Sequence, residues 1–357
     1  MVRQECGSLI NDPLHSGVMF RSLRIWIGFV FSAVLVGLFF TLVDLGDVWD
    51  AFKEANFLFM LPAVAILFIS LWIRCVRWTL LMRPVADISA TRLFPYAIIG
   101  YMANNLLPAR IGELVRAWIL GEREGIPKAS AIATIAVERL FDGGVLVVMF
   151  VITGLFIGFE DGALRIIGIA SAILFAVAFI FFYWFTSSPT RSRRVAAWFL
   201  WKLPRRARFF LAPHASALLI GFRSVHKTST FLAVVLLSAI AWTVEASAYA
   251  VIGIGFKIDL GFGHFLLLLS AANLAIILPT FFGGTGPFEW AARLVLTSGG
   301  IASGVASAYA LVAHAVIFIP TTVVGLLLMW IFGIPLARLR ESPIELVDSS
   351  KSKSVSL

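Results

Sequence analysis

The sequence predicts an all-α polytopic membrane protein, because it is strongly apolar, poor in charge and divided into long hydrophobic segments. Hydrophobic residues make up 60% of the 357 positions and charged residues 14%, with a mean hydropathy of +0.95. These values lie outside the range of soluble globular domains. No block of roughly 100 residues has the mixed composition of a soluble domain, so we expect one membrane domain.

The net charge of +9 does not by itself indicate nucleic acid binding. The basic residues cluster beside apolar segments, as expected from the preference of Lys and Arg for cytoplasmic loops. We therefore expect no nucleic acid partner. Cys6 and Cys75 stand in unrelated settings and indicate neither a disulfide nor a metal site. No enzyme or cofactor motif is present, so we expect neither a cofactor nor a catalytic residue.

The chain begins with a polar leader, residues 1–22, that we expect in the cytoplasm. The membrane domain is predicted over residues 23–335. Its first span, from Ile25 to Val43, has about the 20 apolar residues that cross a bilayer. The second span, from Phe57 to Met82, returns to an arginine-rich end, which places that end inside.

A pair of shorter apolar segments follows, from Leu93 to Leu107 and from Ile111 to Leu120, with Pro108 between them. Neither segment comfortably reaches the spanning length. Non-helical backbone at membrane depth is tolerated where protein or water surrounds it. The sequence therefore predicts a re-entrant helical hairpin that is entered from the cytoplasm.

Two spans come next, from Ala129 to Phe159 and from Leu164 to Phe185, and a further span runs from Phe231 to Ile254. A second broken pair follows, from Phe265 to Leu278 and from Phe288 to Leu296. The charge bias places the ends of this pair outside. We expect a second re-entrant hairpin that is entered from the opposite face.

The last span, from Val305 to Phe332, ends inside, before a polar tail at 336–357 that we expect to be disordered. In all, six full spans and two hairpins are predicted, with both termini cytoplasmic. The first half, about 23–159, and the second half, about 164–335, have the same order of elements in opposite orientation. This is the inverted-repeat arrangement typical of transporters.

Residues 187–208 form the most basic segment of the chain. Two tryptophans, Trp198 and Trp201, lie among its basic residues, which are Arg191, Arg193, Arg194, Lys202, Arg205, Arg206 and Arg208. One interpretation is a cytoplasmic loop that lies on anionic lipid headgroups. The other is a docking surface for a cytoplasmic lipid-modifying enzyme.

The first polar segment, residues 104–116, interrupts the apolar sequence most strongly. Its candidate substrate-binding residues are Asn104, Asn105, Pro108, Arg110, Gly112, Glu113 and Arg116. Arg110 and Arg116 can bind a phosphate in bidentate geometry, beside the positive end of a helix that begins near Ile111. Alternatively, Glu113 pairs with one or both arginines. We expect this segment to face an internal cavity.

The second polar segment, residues 273–293, has the same order of residue types with a different spacing. Its candidate residues are Asn273, Gly283, Gly284, Gly286, Glu289 and Arg293. The glycines can let backbone amides approach a ligand. Interrupted hydrophobic segments at corresponding places in two halves indicate a transporter binding site.

Charged residues inside predicted spans are further candidates, since a charge at the bilayer centre costs at least about 2.5–3.5 kcal/mol. Glu138 and Asp142 share a helix face, and Arg139 reaches Asp142 three positions on. These three residues either form a self-neutralising cluster that locks helices together or line a cavity.

The remaining candidates are isolated in the sequence. Arg74 and Arg77 share a face near the inner end of their span, where snorkelling explains them as well as phosphate binding does. Glu245 has no sequence-local partner and is a candidate acid for proton coupling. We expect His314 to be packed and hydrogen-bonded.

Three stretches together carry a family resemblance. They are Asn-Leu-Leu-Pro-Ala-Arg-Ile-Gly-Glu-Leu-Val-Arg from Asn105 to Arg116, Glu-Arg-Leu-Phe-Asp from Glu138 to Asp142, and Leu-Pro-x4-Gly-x-Gly-x-x-Glu from Leu278 to Glu289. In order and spacing they resemble the flippase-like membrane domain of the lysylphosphatidylglycerol synthase family, over about residues 20–335. The resemblance implies movement of a polar-headed lipid between leaflets. It also implies functional positions at Asn105, Pro108, Arg110, Gly112, Glu113, Arg116, Arg139, Asp142 and Glu289.

Few residues follow Arg340, so we expect no soluble aminoacyltransferase domain and no lysyltransferase activity. The leading hypothesis is therefore a lipid flippase or transporter of the bacterial inner membrane. In it Arg110 and Arg116 hold an anionic headgroup, and Glu113 and Asp142 neutralise them when the site is empty. The alternatives are a membrane-embedded transferase and an accessory or scaffold subunit in envelope lipid or glycolipid synthesis.

Overall fold

The structure, a computed structural model, describes residue 37 and residues 44–107, 111–158, 162–202, 219–221, 227–276 and 284–334. Every regular element in these ranges is helical. The helices are α1 (Leu45–Glu54), α2 (Met60–Met82, after a 3-10 turn at Phe57–Phe59), α3 (Ala90–Leu106), α4 (Gly112–Glu124), α5 (Lys128–Ile157), α6 (Gly162–Thr186), α7 (Pro189–Lys202), α8 (Thr228–Gly255), α9 (Phe262–Ala275), α10 (Pro287–Ser298) and α11 (Ser303–Ile331).

Within this described part, five helical segments are long and apolar enough to cross a membrane. They are Phe57–Met82, Lys128–Ile157, Gly168–Phe185, Thr228–Gly255 and Ser303–Ile331. Each coincides with a predicted span, so the prediction of an all-α membrane fold is confirmed. The predicted leader, nearly all of the first span and the tail lie outside the described residues, and the total number of spans stays a prediction.

Local sequence explains where several helices begin and end. Asp44 caps α1, its carboxylate accepting from the Gly46 amide at 2.7 Å. Gly125, at φ 67°, takes the left-handed conformation that ends α4. Pro287 is the first residue of α10, where its missing N–H costs no helical hydrogen bond.

Helices α2 and α8 run antiparallel through the middle of the bundle. The Asn56 amide, just before α2, donates to the Gly255 carbonyl at 2.8 Å. At the other end of the pair, Arg77 donates to the Ser238 hydroxyl at 2.6 Å. Residue numbers therefore rise along α2 as they fall along α8, in agreement with the opposite directions predicted for these spans.

The first predicted broken pair forms an antiparallel helical hairpin of α3 and α4. At its open end, the Tyr96 hydroxyl donates to Glu124 at 2.9 Å. Near its tip, the Gly112 amide donates to the Asn104 side chain at 2.7 Å. A Cβ placed on Gly112 would lie 2.0 Å from the Gly100 carbonyl oxygen. Glycine is therefore what allows α3 and α4 to approach so closely.

The second predicted broken pair forms a hairpin of α9 and α10. Gly299, after α10, lies against Leu260 and His264 at the start of α9. Gly284, before α10, lies against Ile276 at the end of α9. These two contacts show that α9 and α10 also run antiparallel.

Helix α11 shows that the hairpins approach from opposite ends of the bundle. Near the first residues of α11, Arg293 of the second hairpin donates to Ser303 at 2.9 Å. Beyond its last residue, the ring of Phe332 lies 6.2 Å from that of Tyr96 in the first hairpin. With a rise of 1.5 Å per residue, α11 is long enough to cross a bilayer.

Described residues close to the tip of each hairpin contact the middle part of α11. Glu289 of the second hairpin contacts His314, at 2.5 Å. Asn105 of the first hairpin donates to Thr322, at 3.0 Å. The predicted inverted repeat requires hairpins that approach from opposite ends, and both the repeat and the placement of the hairpins within a bilayer stay predictions.

We predict that Gly112→Ala destabilises the protein by more than the 1–3 kcal/mol typical of overpacking, because the new methyl group would meet backbone. Alanine's better helix propensity returns only about 1 kcal/mol. Thermal unfolding in detergent measures the change. The matched control is Gly261→Ala, where nothing lies within 4 Å of the added Cβ. Equal stability of the two variants would contradict the close hairpin packing.

Candidate functional site

A polar cavity lies between the hairpin tips and helices α2 and α8. Its volume is about 120 Å³, room for several water molecules. Its lining consists of Leu67, Leu71, Arg74, Tyr101, Asn104, Asn105, Arg139, Trp242, Glu245, Asn273, Ile276, Ile317 and Thr321. A smaller cavity of about 50 Å³ shares Asn105, Glu245, Asn273, Ile276 and Ile317 with it. The structure thus brings both polar segments to one place.

The amides of the first polar segment hold the tip of the first hairpin. Asn104 accepts from the Gly112 amide and donates to Glu113 at 3.2 Å. Asn105 reaches α11, where it donates to Thr321 at 3.2 Å and to Thr322 at 3.0 Å. Two further predicted site residues, Pro108 and Arg110, lie outside the described residues.

Arg77 is the centre of a buried cluster of charged side chains. It is fully buried, and its guanidinium contacts both carboxylate oxygens of Asp142, one of them at 3.1 Å. It also lies 3.4 Å from Glu138 and donates to Ser238 at 2.6 Å. One side chain of α2 thereby ties α5 to α8.

Arg116 belongs to the same cluster and faces away from the cavity. It binds Glu138 in bidentate geometry, at 3.1 and 3.0 Å, and its guanidinium lies 3.3 Å from the ring centroid of Trp78. The alternative pairing of Glu113 with Arg116 is therefore wrong. Glu113, at the rim, turns instead to Asn104, because the face of α4 that carries Arg116 packs against α5.

The predicted role of Asp142 in neutralising Arg116 is also wrong. Asp142 is occupied by Arg77 and lies 3.7 Å from Arg74. It sits one turn beyond Glu138 on α5, opposite α2 and out of reach of α4. Glu138 is therefore shared by Arg116, Arg139 and Arg77, whereas Asp142 contacts Arg77 and lies near Arg74 and Arg139.

Arg74 lines the cavity and does not snorkel. It donates to Glu245 at 2.7 Å, and its guanidinium lies 3.7 Å from the ring centroid of Trp242. Only 4% of Arg74 and 0% of Arg77 is exposed, which excludes the snorkelling interpretation for both. Carboxylates on α5 and α8 provide partners inside the bundle, so neither side chain needs the membrane surface.

Arg139 is the most accessible arginine of the cluster, with 33% of its side chain exposed. It donates to Glu138 at 3.1 Å and lies 4.0 Å from Asp142, as its spacing of three predicted. Its Nε lies 3.9 Å from Glu113, too far for a hydrogen bond. Because its partners are shared with other arginines, Arg139 is the arginine that can most readily contact a ligand.

Three buried donor atoms on described residues that line the cavity have no hydrogen-bond partner. Within the described part of the chain, Tyr101 Oη, Trp242 Nε1 and Arg139 Nε are buried without a hydrogen-bond partner. Their residues all line the cavity. A buried donor without an acceptor costs about 1–3 kcal/mol. Oxygen-rich groups such as phosphates or sugars can supply the missing acceptors.

Two groups of the second polar segment hydrogen-bond to each other at the start of α10. Glu289 accepts from the Gly286 amide at 2.7 Å and contacts His314, as expected for a packed, hydrogen-bonded histidine. The Gly286 amide is thus engaged within the segment. Gly284 and Gly286 both have φ 98°, a conformation that favours glycine. Predicted residue Gly283 lies outside the described residues.

The other two predicted residues of this segment, Asn273 and Arg293, lie at different distances from the cavities. Asn273 lines both cavities and donates to the Leu269 carbonyl of its own helix at 2.9 Å. Arg293 lies toward the open end of the hairpin, where it contacts Ser303, and it does not line either cavity. Asn273 is thus the one of the two that can meet a ligand there.

Sequence reasoning missed the aromatic part of the site. Trp78 and Trp242 cover the guanidinium groups of Arg116 and Arg74, and Tyr101 lies near Arg139. Aromatic residues in apolar spans carry no distinguishing pattern, because most of them face lipid or core. The one signal in the sequence is an arginine predicted at the same membrane depth as an aromatic residue of a neighbouring helix.

Comparison with known proteins identifies the family. Residues 25–325 match the family model described as the lysylphosphatidylglycerol synthase TM region. The UPF0104 membrane protein of Methanothermobacter thermautotrophicus is 25% identical over 322 residues, which cover 85% of this chain and 94% of that protein. Glycosyltransferase AglD of Haloferax volcanii is 25% identical over 366 aligned residues, 92% of this chain and 59% of that protein.

The family match covers most of the chain and all three stretches that carried the resemblance. It is also consistent with the long apolar helices of the described part. The chain is therefore a multi-pass membrane protein that belongs to the family of the lysylphosphatidylglycerol synthase transmembrane region.

Proposed function

We propose that this protein moves a lipid with an anionic or glycosylated headgroup between the leaflets of a membrane. The observation that carries the proposal is the polar cavity between two hairpin tips that approach from opposite ends of the bundle. A charged headgroup crosses hydrocarbon only at a cost of several kcal/mol. A polar cavity at the middle of the bundle lowers that cost while the acyl chains stay in lipid. Alternating movement of the hairpins would expose it to each side.

Arg139 and Arg74 are the described arginines that we propose to contact the headgroup. Both line the cavity, and a guanidinium matches a phosphate in bidentate geometry. Asn104, Asn105 and Asn273 add amides that suit hydroxyl or phosphate oxygens. Arg110 remains a proposed headgroup contact, whereas we assign Arg116 a supporting role, because Glu138 and Trp78 enclose it.

We propose a bacterial cytoplasmic membrane as the location, with both termini in the cytoplasm. The support is the asymmetry of basic residues along the sequence, which favours a cytoplasmic position for the 187–208 segment and the arginine-rich end of α2. In this orientation the first hairpin is entered from the cytoplasm and the second from the opposite side.

A second candidate function is a transferase or accessory subunit in glycolipid synthesis. It is favoured by the glycosyltransferase name of the AglD relative, although the match spans 59% of that protein. In this alternative the cavity presents a lipid carrier to a sugar donor. Incubating the purified protein with a polyprenyl phosphate and nucleotide sugars, followed by mass spectrometry, tests it. A new glycolipid would support the alternative, and its absence would count against it.

We predict that Arg139→Gln slows lipid translocation about 10- to 100-fold, since a hydrogen bond to a charged group contributes roughly 1.5–3 kcal/mol. The measurement is leaflet exchange of fluorescent phosphatidylglycerol in proteoliposomes. Arg83→Gln is the matched control, because Arg83 is exposed at the end of α2, away from the cavity. Equal rates for the two variants would remove Arg139 from the pathway.

We predict that Arg116→Gln, unlike Arg139→Gln, lowers the stability of the protein and hardly changes translocation. Loss of its bidentate contact with Glu138 should lower stability by roughly 1.5–3 kcal/mol. Translocation per folded molecule should stay close to that of the unmodified protein. Thermal unfolding and exchange assays on the same preparation separate the two effects. A large loss of translocation without loss of stability would show that Arg116 contacts the headgroup.

Helix α7 is the surface that we propose for contact with anionic lipid headgroups. Its aromatic residues are exposed, with 56% of Trp198 and 72% of Trp201 accessible. Lys202 lies 4.5 Å from the Trp198 ring centroid, so charge and aromatic surface are adjacent. A helix with basic and aromatic residues suits the headgroup region of a membrane. A cytoplasmic lipid-modifying enzyme is the other proposed partner of this surface.

We predict that Arg193→Gln/Arg194→Gln reduces the phosphatidylglycerol retained by the purified protein, since each basic residue near an anionic surface contributes about 1 kcal/mol. Both residues are exposed on α7. Native mass spectrometry measures the retained lipid, with Arg83→Gln as the single-site control. Unchanged retention would favour a protein partner for this helix.

A further inference from the structure

The contact between Glu289 and His314 lies where the second hairpin meets α11. Both side chains are buried, and Glu289 Oε1 lies 2.5 Å from His314 Nδ1. The imidazole ring lies beside the ring of Phe288, tilted by 36° and with a centroid separation of 4.8 Å. Phe288 and His314 also line the smaller cavity, which adjoins the larger one. The pair therefore lies beside the proposed headgroup passage and outside the arginine cluster.

A contact this short between a carboxylate and an imidazole nitrogen requires a hydrogen atom between them, since two lone pairs would repel. With one proton, the pair carries a single negative charge, of which the Gly286 amide stabilises a part. With a second proton on the other ring nitrogen, the pair becomes a neutral ion pair. Histidine is the side chain whose charge changes most readily between about pH 5 and 8.

Few of the described charged groups lie close enough to the Glu289–His314 pair to offset a change in its charge. Among the described residues, α8 contributes two titratable groups to the smaller cavity, Glu245 and Tyr249. Glu245 is already paired with Arg74 at 2.7 Å. The other polar groups there are the neutral amides of Asn105 from α3 and Asn273 from α9. A proton gained or lost by the pair therefore changes the net charge at the junction of the two hairpins.

We propose that the Glu289–His314 pair binds the proton whose movement drives lipid transport. This proposal rests on the proposed function and adds that a proton gradient is its energy source. A proton from either side would reach the pair through the smaller cavity when α3 or α10 shifts against α11. A neutral pair favours the dry contact of α10 with α11, whereas the singly negative pair favours water in the cavity.

The backbone of α11 suits this coupling. Pro320 lies within the helix and removes one of its hydrogen bonds. Asn105 attaches the first hairpin around this point, at Phe318, Thr321 and Thr322. The proton-binding pair lies less than two turns before it. A bend of α11 at Pro320 therefore changes the position of one hairpin relative to the other.

The test uses proteoliposomes of phosphatidylcholine with a small fraction of chain-labelled phosphatidylglycerol, with the membrane potential clamped. A pH difference of one unit corresponds to about 1.4 kcal/mol, or a tenfold ratio between leaflets for one proton per lipid. We expect the label to accumulate in one leaflet, and the preferred leaflet to reverse when the gradient is reversed. His314→Gln and Glu289→Gln should both give an even distribution.

Each variant is compared with His264→Gln, which removes a histidine at the open end of the second hairpin and should keep the gradient-driven ratio. Folding is checked by gel filtration, and using two independent variants guards against a folding defect in one of them. Translocation that ignores the gradient in the unmodified protein would overturn the proton inference and leave the proposed function intact. Absence of any translocation would overturn both.

Discussion

The structure depends on the mutual compensation of arginine and carboxylate side chains inside an apolar helical bundle. Any one of Arg77, Glu138 or Asp142 alone would be prohibitively costly to bury. Arg77 meets Asp142 and lies close to Glu138, and the Ser238 hydroxyl accepts one further hydrogen bond. These contacts can form only when α2, α5 and α8 pack at a single depth. The charges therefore fix the register of helices whose remaining buried surfaces are mostly apolar.

The arginines of this cluster fall into two groups, those that hold helices together and those that line the cavity. Arg77 and Arg116 have bidentate carboxylate partners and face away from the cavity. Arg74 and Arg139 line it, with Arg139 one-third exposed. Among the described residues, these four arginines face three carboxylates, Glu138, Asp142 and Glu245, and Glu113 lies 3.9 Å from Arg139 as a fourth. The described part of the cluster is therefore close to charge balance.

Much of the architecture could be predicted from the sequence, because hydropathy and charge bias act over whole segments. The breaks near Pro108 and before Pro287 follow from local chemistry, whereas the packing role of Gly112 depends on its contact with Gly100 of α3. The partners of the buried charges could not be predicted. Arg74 and Glu245 are separated by 171 positions, and their contact depends on how α2 packs against α8. The pairing of Arg116 with Glu138 instead of Glu113 likewise follows from tertiary packing.

The proposed passage of the headgroup through the polar cavity can be blocked by a bulky group attached to the cavity lining. Ile276 lies at the end of α9 and lines both cavities, so Ile276→Cys places a thiol in the passage. Labelling this thiol with a bulky, water-soluble reagent should stop lipid translocation, whereas labelling Ile301→Cys, outside the cavities, should not. Translocation that continues at full rate after complete labelling at position 276 would contradict the account.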